Sequence, residues 1–211
     1  MKNYKTKREH FYRGIKNFWP DLYGEEYALY DISPIDRREA DAIRICTNRI
    51  GKIFFKVSEL LRNVNADTLR ELGYPDETLD FIKLRTLNIE SVIARLDLIK
   101  TENTYKCIEI NSDTPTFIKE LFNVNGSVAA QFGLGNPNEG MEDQLARAVR
   151  SAVASSAKWL EETEPYVVFT AHEDNIEDRN TVLYLQDLYG LPSMFISLDK
   201  LKIIPETGLY D

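Results

Sequence analysis

Ala94-Arg95-Leu96-Asp97-Leu98, followed by Glu109-Ile110-Asn111-Ser112-Asp113-Thr114-Pro115-Thr116, decides the fold of the region around it. β-Branched residues surround both pieces: Val92, Ile93, Ile99, Ile108 and Ile110. Such residues suit a pleated, half-buried surface. Side chains alternate along a strand, so Arg95 and Asp97 share a face, and so do Glu109 and Asn111. An antiparallel hairpin centred on Asn103 sets Asp97 opposite Glu109 and Arg95 opposite Asn111. Like charges directly across a ladder repel. A cation between them turns the repulsion into coordination, and a hard ion such as Mg²⁺ takes oxygen ligands of this kind.

The hairpin is predicted over 91–100 and 105–111, with 101–104 as its turn and Pro115 ending the second strand. Its even face (Ala94, Leu96, Leu98, Ile108, Ile110) reads as core. Its odd face is mixed, with Ile93, Ile99 and Cys107 flanking Arg95, Asp97 and Glu109. Two readings follow. Either the odd face is solvated and Arg95 pairs with a carboxylate, an arrangement that contributes about 0–1 kcal/mol, or carboxylates ringed by apolar residues form a site. Asp113, Thr114 and Thr116 supply a carboxylate and two hydroxyls at the strand end. They fit an Asx or Ser/Thr turn, or a grip on a substrate carboxylate or amide beside the quartet.

Further out, residues 7–19 read as a short helix with aromatics, ended by Pro20. Residues 21–33 read as a packed loop. A long helix follows Ser33-Pro34. Its apolar face runs through Ala42, Ile43, Cys46, Ile50, Phe54, Val57 and Leu61 at spacings of three and four, extended backwards by Ile35. Gly51 weakens it by about 1 kcal/mol relative to Ala. Helical pieces are expected near 66–72 and 76–83, then at 117–123, with a loop over 125–138. A second long helix spans 139–162, apolar at Leu145, Ala148, Val149, Ala152, Val153, Ala157 and Leu160. A strand at 166–170, a helix at 180–189 closed by Gly190, and strands at 194–196 and 201–204 complete the chain. The order helix, strand, helix, strand suggests an α/β layer with parallel pairing.

The composition excludes several classes. With 211 residues, 43% hydrophobic and 28% charged, the chain reads as a globular protein with a real core. A net charge of -8 argues against a nucleic-acid partner, which needs a basic surface. The basic start (Lys2, Lys5, Lys7, Arg8, Arg13) leads into no apolar run, so no signal peptide is read there. The richest apolar window, 50–61, carries Lys52, Lys56 and Glu59 and is too short and too charged to span a bilayer. Two cysteines, Cys46 and Cys107, in apolar surroundings suit a reduced cytoplasmic protein with buried thiols, although sequence does not exclude a disulfide.

Arg95-x-Asp97, Glu109-x-Asn111-x-Asp113-Thr114-Pro115-Thr116, His172-Glu173-Asp174 and Glu177-Asp178-Arg179 together resemble the glutathionylspermidine synthase family of ATP-grasp ligases. They are most similar to its stand-alone branch without an amidase domain, from about Phe11 to the last residue. The resemblance implies an α/β fold: a mixed sheet with long packed helices, and a pre-ATP-grasp-like domain plus part of an incomplete ATP-grasp ligase core. It makes the chain the N-terminal portion of such a ligase, with 139–211 as an α/β sub-layer resembling a pre-ATP-grasp domain. It implies ATP-dependent amide formation between a peptide-like carboxylate and an amine through an acyl phosphate. Asp97, Glu109 and Asn111 would then be Mg²⁺ ligands and Arg95 the contact to the transferred phosphoryl or acyl phosphate. Thr114 and Thr116, with Asp113, fall where family members hold the thiol-peptide substrate, although the family's serines there are threonines here and Pro115 intervenes. Glu177 and Asp178 fall where acids attract the polyamine; as acids at a helix start they also complement the helix dipole in any protein. His172 receives no role.

The lysines and Gly-rich lid that cover ATP in the family belong beyond Asp211, and no GxxxxGK[ST] is present. Gly133 to Gly140 reads as a loop. The tail from Pro205 to Asp211, stopping after a strand, is expected to mark a fragment. The other reading is a truncated, non-catalytic ligase-like module that binds a peptide or polyamine. Neither substrate nor oligomeric state is read from the sequence.

Overall fold

The computed structural model describes residues 2–85, 87, 89–204 and 208–210. Residues 205–207 and 211, part of the tail read as a fragment end, lie outside them. In chain order the elements are α1 (Lys2–Tyr12), β1 (Asp21–Leu22), β2 (Glu25–Glu26), α2 (Arg37–Arg62), α3 (Ala66–Glu71), α4 (Leu79–Ile82), β3 (Arg95–Lys100), β4 (Tyr105–Asn111), α5 (Asn125–Gln131), α6 (Met141–Trp159), β5 (Val168–Ala171), α7 (Ile176–Tyr189), β6 (Met194–Ser197), β7 (Lys202–Ile204) and β8 (Gly208–Tyr210). The class is α/β with long helices. Among the described residues the strands pair two by two, and a single mixed sheet does not form. β1–β2, β3–β4 and β7–β8 are antiparallel; β5–β6 is parallel.

Two compact units share the chain. The first comprises Met1–Ser33, Thr114–Val153 and Glu164–Asp211; the second comprises Pro34–Asp113 and Ala154–Thr163.

In the first unit, Tyr12, Val124 and Val128 form a buried cluster joined by Phe11, Phe18 and Tyr30. The helix expected over 7–19 lies earlier, at α1. Phe11/Phe18 and Tyr12/Trp19 repeat at seven residues, which mimics a helix. The chain instead turns at Asn17, whose φ is 51°, and folds back so that Phe18 meets Tyr12 at 5.3 Å between ring centres. Trp19 is thereby buried to 2% exposure outside any helix. Arg8, only 4% exposed, organises the returning chain. Its Nε donates to Ala28 O at 2.7 Å, it donates to Pro20 O, and it pairs with Asp21 at 2.9 Å.

The helix expected at 117–123 does not stop there. After Ile118 and Lys119, a π-helical turn (Glu120–Val124) runs straight into α5, so 125–131 is helix rather than loop. At Gly126 a Cβ would stand 2.6 Å from the Asn136 side chain, so the glycine allows close packing and does not break the helix. α6 ends at Trp159, leaving Leu160 64% exposed rather than on its apolar face. β5 starts at Val168 rather than at Tyr166, which is 65% exposed. β5, α7 and β6 make the expected parallel unit, in register from Val168↔Met194 to Ala171↔Ser197, with α7 packed on β5. α7 begins at Ile176 rather than 180 because the Asn175 side chain caps it, accepting from the backbone N–H of Glu177 and Asp178. Its last carbonyls are met by Arg150, whose Nε donates to Tyr189 O at 2.7 Å, and Gly190 closes it at a φ of 64°.

In the second unit, Asp36 caps α2 by accepting from Arg38 N at 2.7 Å. The cap excludes Ile35, which is 53% exposed and does not extend the apolar face. That face is Ile43, Cys46, Ile50, Phe54 and Leu61, all half-buried, while Ala42 and Val57 are exposed. No residue of α2 is fully buried. At the far end of α2, Arg62 and Glu90 form a two-point ion pair, one contact at 2.8 Å, that ties the helix to the segment entering β3. α3, α4 and the 3₁₀ turn Asp76–Thr78 fall where the two short helices were expected. Both thiols are free and half-buried rather than buried.

Candidate functional site

The β3–β4 register pairs Arg95 with Asn111 and Asp97 with Glu109, the alignment expected of a hairpin centred on Asn103. The first strand starts at Arg95 rather than at 91. Between Asp97 and Leu98 the register shifts: Leu98 pairs with Cys107, Ile99 with Lys106 and Lys100 with Tyr105, leaving Ile108 as the extra residue. A one-residue slip moves every later side chain to the other face. Cys107 and Tyr105 therefore share a face with Leu98, not with Asp97 and Glu109. The even-face core fails at two positions for related reasons: Ile108 bulges out to 65% exposure, and Ala94, outside the strand, is exposed. The adjacent pair Cys107-Ile108, two apolar residues breaking strict alternation, was the signal of the bulge.

Arg95 grips Asp97 from two sides, Nε to Oδ1 at 2.8 Å and an Nη to Oδ2 at 3.2 Å. The two side chains are 31% and 32% exposed. This guanidinium holds the Asp97 carboxyl below the usual carboxylate range, with burial opposing it. Across the ladder, Asn111 Oδ1 is buried and accepts no hydrogen bond. A buried carbonyl oxygen without a donor costs about 1–3 kcal/mol. It is an acceptor waiting for a cation or donor. Mg²⁺ commonly takes one or two carboxylates and completes its shell with water and substrate phosphates. Asp97, Glu109 and Asn111 match that donor set. Among the described residues no group of three or more His, Cys, Asp or Glu could hold a metal ion by itself, so such a site needs the amide oxygen and substrate atoms. Arg95 and a cation would share Asp97.

Asp113 is exposed at the end of this unit, and the chain passes into the first unit between Asp113 and Thr114. Thr114 is exposed, Pro115 is buried and Thr116 is half-buried. Phe117 follows with a φ of 71°, a left-handed conformation costly for a non-glycine residue. Glu177 and Asp178 occupy the first turn of α7, both half-buried, their backbone N–H groups donating to Asn175. Acids there are favoured by the helix dipole. His172 is exposed, and Glu173 accepts from Arg179 Nε at 2.9 Å.

The chain matches the family described as Glutathionylspermidine synthase preATP-grasp over residues 6–211. It belongs to that family. The match of this pre-ATP-grasp chain takes in the hairpin quartet as well as the parallel β5–β6 unit. No curated protein matches it. The family is one of synthetases, which gives this pre-ATP-grasp domain a ligase-like role. Among the described residues no helix is long and apolar enough to cross a membrane.

Proposed function

We propose that the chain supplies the metal-facing and acyl-facing part of an ATP-dependent ligase that joins a peptide-like carboxylate to an amine. The observation that carries this reading is the orphaned, buried Asn111 Oδ1 on the hairpin face that also holds Arg95, Asp97 and Glu109. In the reaction a carboxylate oxygen of one substrate attacks the γ-phosphorus of ATP, giving an acyl phosphate and ADP. The amine then attacks the acyl carbon and expels phosphate. Asp97, Glu109 and Asn111 would hold Mg²⁺, which when bound draws charge from phosphate oxygens. Arg95 holds the transferred phosphoryl group; its planar, permanently charged fork suits that task better than a lysine. Asp113, Thr114 and Thr116 hold the acyl substrate, and Glu177 and Asp178 attract a cationic amine. On this reading the stretch 139–211 is assigned as the α/β sub-layer, although Ala154–Thr163 group with the second unit. The protein is placed in the reduced cytoplasm, a reading supported by its two free thiols.

The test is to screen the full-length protein for ADP release with thiol peptides, amino acids and polyamines in pairs. ADP release that needs both a carboxylate and an amine, with an amide product by mass, is expected. A second reading is favoured by one observation: Arg95 and Asp97 already satisfy each other. It is a non-catalytic module binding a peptide or polyamine, and binding without ADP release for every pair would select it.

A further inference from the structure

One groove of about 790 Å³ runs between α2 and the turn end of the β3–β4 hairpin, both in the second unit. Its helix wall includes Arg38, Ala42, Ile45 and Arg49, at spacings of four, three and four, which places them on one side of α2. A cation thus stands at each end of a short apolar stretch, the two about 16 Å apart along the helix axis. Both arginines are exposed, and among the described residues neither guanidinium has an ion pair or a hydrogen bond. Ile45, between them, is 54% exposed. Arg38 also stands in the first turn of α2, where the helix dipole disfavours a cation and favours an anion. The acid next to it is already taken: Glu39 accepts from Lys100 Nζ at 2.6 Å and from Tyr105 Oη at 2.7 Å. The groove is left with two unanswered cations and, among the described residues, one unanswered acid, Glu102 on the hairpin turn, in a chain whose net charge is -8.

We propose that this groove binds an extended acidic peptide of the pattern acid–x–apolar–x–acid, its carboxylates on Arg38 and Arg49 and its apolar side chain on Ala42 and Ile45. Charge and spacing both favour that occupant. In an extended chain alternate side chains point the same way and each residue rises about 3.3 Å, so the two acids stand about 13 Å apart with the apolar residue midway. The long arginine stems take up the remaining distance. A guanidinium gives a carboxylate two parallel N–H bonds, and the carboxylate at Arg38 also meets the positive end of α2. The groove lies beyond the bulge, on the face of Leu98, Tyr105 and Cys107 rather than that of Asp97 and Glu109. The proposal therefore stands whether or not the chain is a ligase.

Fluorescein-labelled Gly-Glu-Ser-Leu-Ser-Glu-Gly amide is titrated with the full chain, without ATP, and followed by fluorescence anisotropy. Saturable one-to-one binding is expected, weakening as salt is added. Arg38→Gln and Arg49→Gln should each weaken it by about three- to tenfold. On the wild-type chain, replacing both peptide glutamates by glutamine should abolish binding, and placing them side by side or replacing the leucine by serine should weaken it. These peptide exchanges decide the matter even where a variant does not fold. No saturable binding, equal binding of the glutamine or lysine peptide, or full affinity in both arginine variants would overturn the proposal. Tighter binding of dodecanedioate than of the peptide would assign the groove to a small dianion and overturn the peptide as its occupant. Because ADP release is not the readout, either result leaves the ligase reading to its own test.

Discussion

In the unit that holds α1, Arg8 and Lys119 are each 4% exposed and donate to main-chain carbonyls, whereas on the β3–β4 hairpin Arg95 is about a third exposed and meets another side chain. Arg8 bonds to Pro20 and Ala28, and Lys119 to Lys16 and Asn17. Their charges are enclosed by the turns they hold together. Burial pushes the Lys119 ammonium down from its ordinary value. The hairpin leaves an acceptor, Asn111 Oδ1, unanswered. The contrast separates charge that fixes a fold from charge that remains available for chemistry.

The sharpest way to break the contrast is to truncate both arginines. Arg8→Ala removes a buried guanidinium and leaves Ala28 O without its donor, while Pro20 O keeps the backbone N–H groups of Tyr27 and Ala28, so urea unfolding should show a loss of about 1–3 kcal/mol. Arg95→Ala should cost no more than about 1 kcal/mol, because half-exposed pairs contribute little. Equal losses would erase the distinction.

The pH response should differ in sign. Burial pushes Tyr12 up to about 12 from 10.0, and its hydroxyl donates to Leu29 O at 2.7 Å. A raised folded-state value means its stabilisation is complete below about 10 and is lost as pH climbs towards about 12. Asp97 is lowered, so its smaller contribution is present above the unfolded carboxylate value and is lost as pH falls through the folded one. Thermal melts of Tyr12→Phe and Asp97→Asn against pH check both. An alkaline transition that persists unchanged in Tyr12→Phe would contradict the first assignment.

A smaller effect belongs to the helix ends. Asp36→Ala should lower stability by about 1 kcal/mol in urea titration, through loss of the α2 cap. The double change Glu177→Gln and Asp178→Asn should cost about 0.3–1 kcal/mol per charge by the dipole. If these acids also attract the amine, it raises KM for a cationic amine while leaving kcat alone. An unchanged KM would leave them as helix acids.

Much of the hairpin was legible because period-two alternation with two β-branched flanks admits one register, and the Arg95↔Asn111 and Asp97↔Glu109 pairs follow from it. The bulge is signalled only by the adjacent apolar pair Cys107-Ile108, and alternation alone does not say which of the two leaves the ladder; in the structure it is Ile108, at 65% exposure. The seven-residue repeat of Phe11, Tyr12, Phe18 and Trp19 satisfies a helix and a folded-back turn equally, and burial around Arg8 selects the turn. Gly126 reads as a breaker until its neighbour Asn136 is known. Cap residues Asp36 and Asn175 place helix starts that hydrophobic spacing leaves open.

The central claim is that Asp97, Glu109 and Asn111 hold Mg²⁺ beside Arg95. The direct measurement is ADP release by the full-length protein as a function of Mg²⁺ for wild type, Asp97→Asn and Glu109→Gln, with melting curves recorded alongside. The account predicts melting changed by no more than the loss of a part-exposed ion pair, about 0–1 kcal/mol, and a turnover reduced on the order of 100-fold or more, with half-saturating Mg²⁺ raised at least about tenfold in whatever activity remains. Wild-type turnover at wild-type Mg²⁺ in both variants would contradict it.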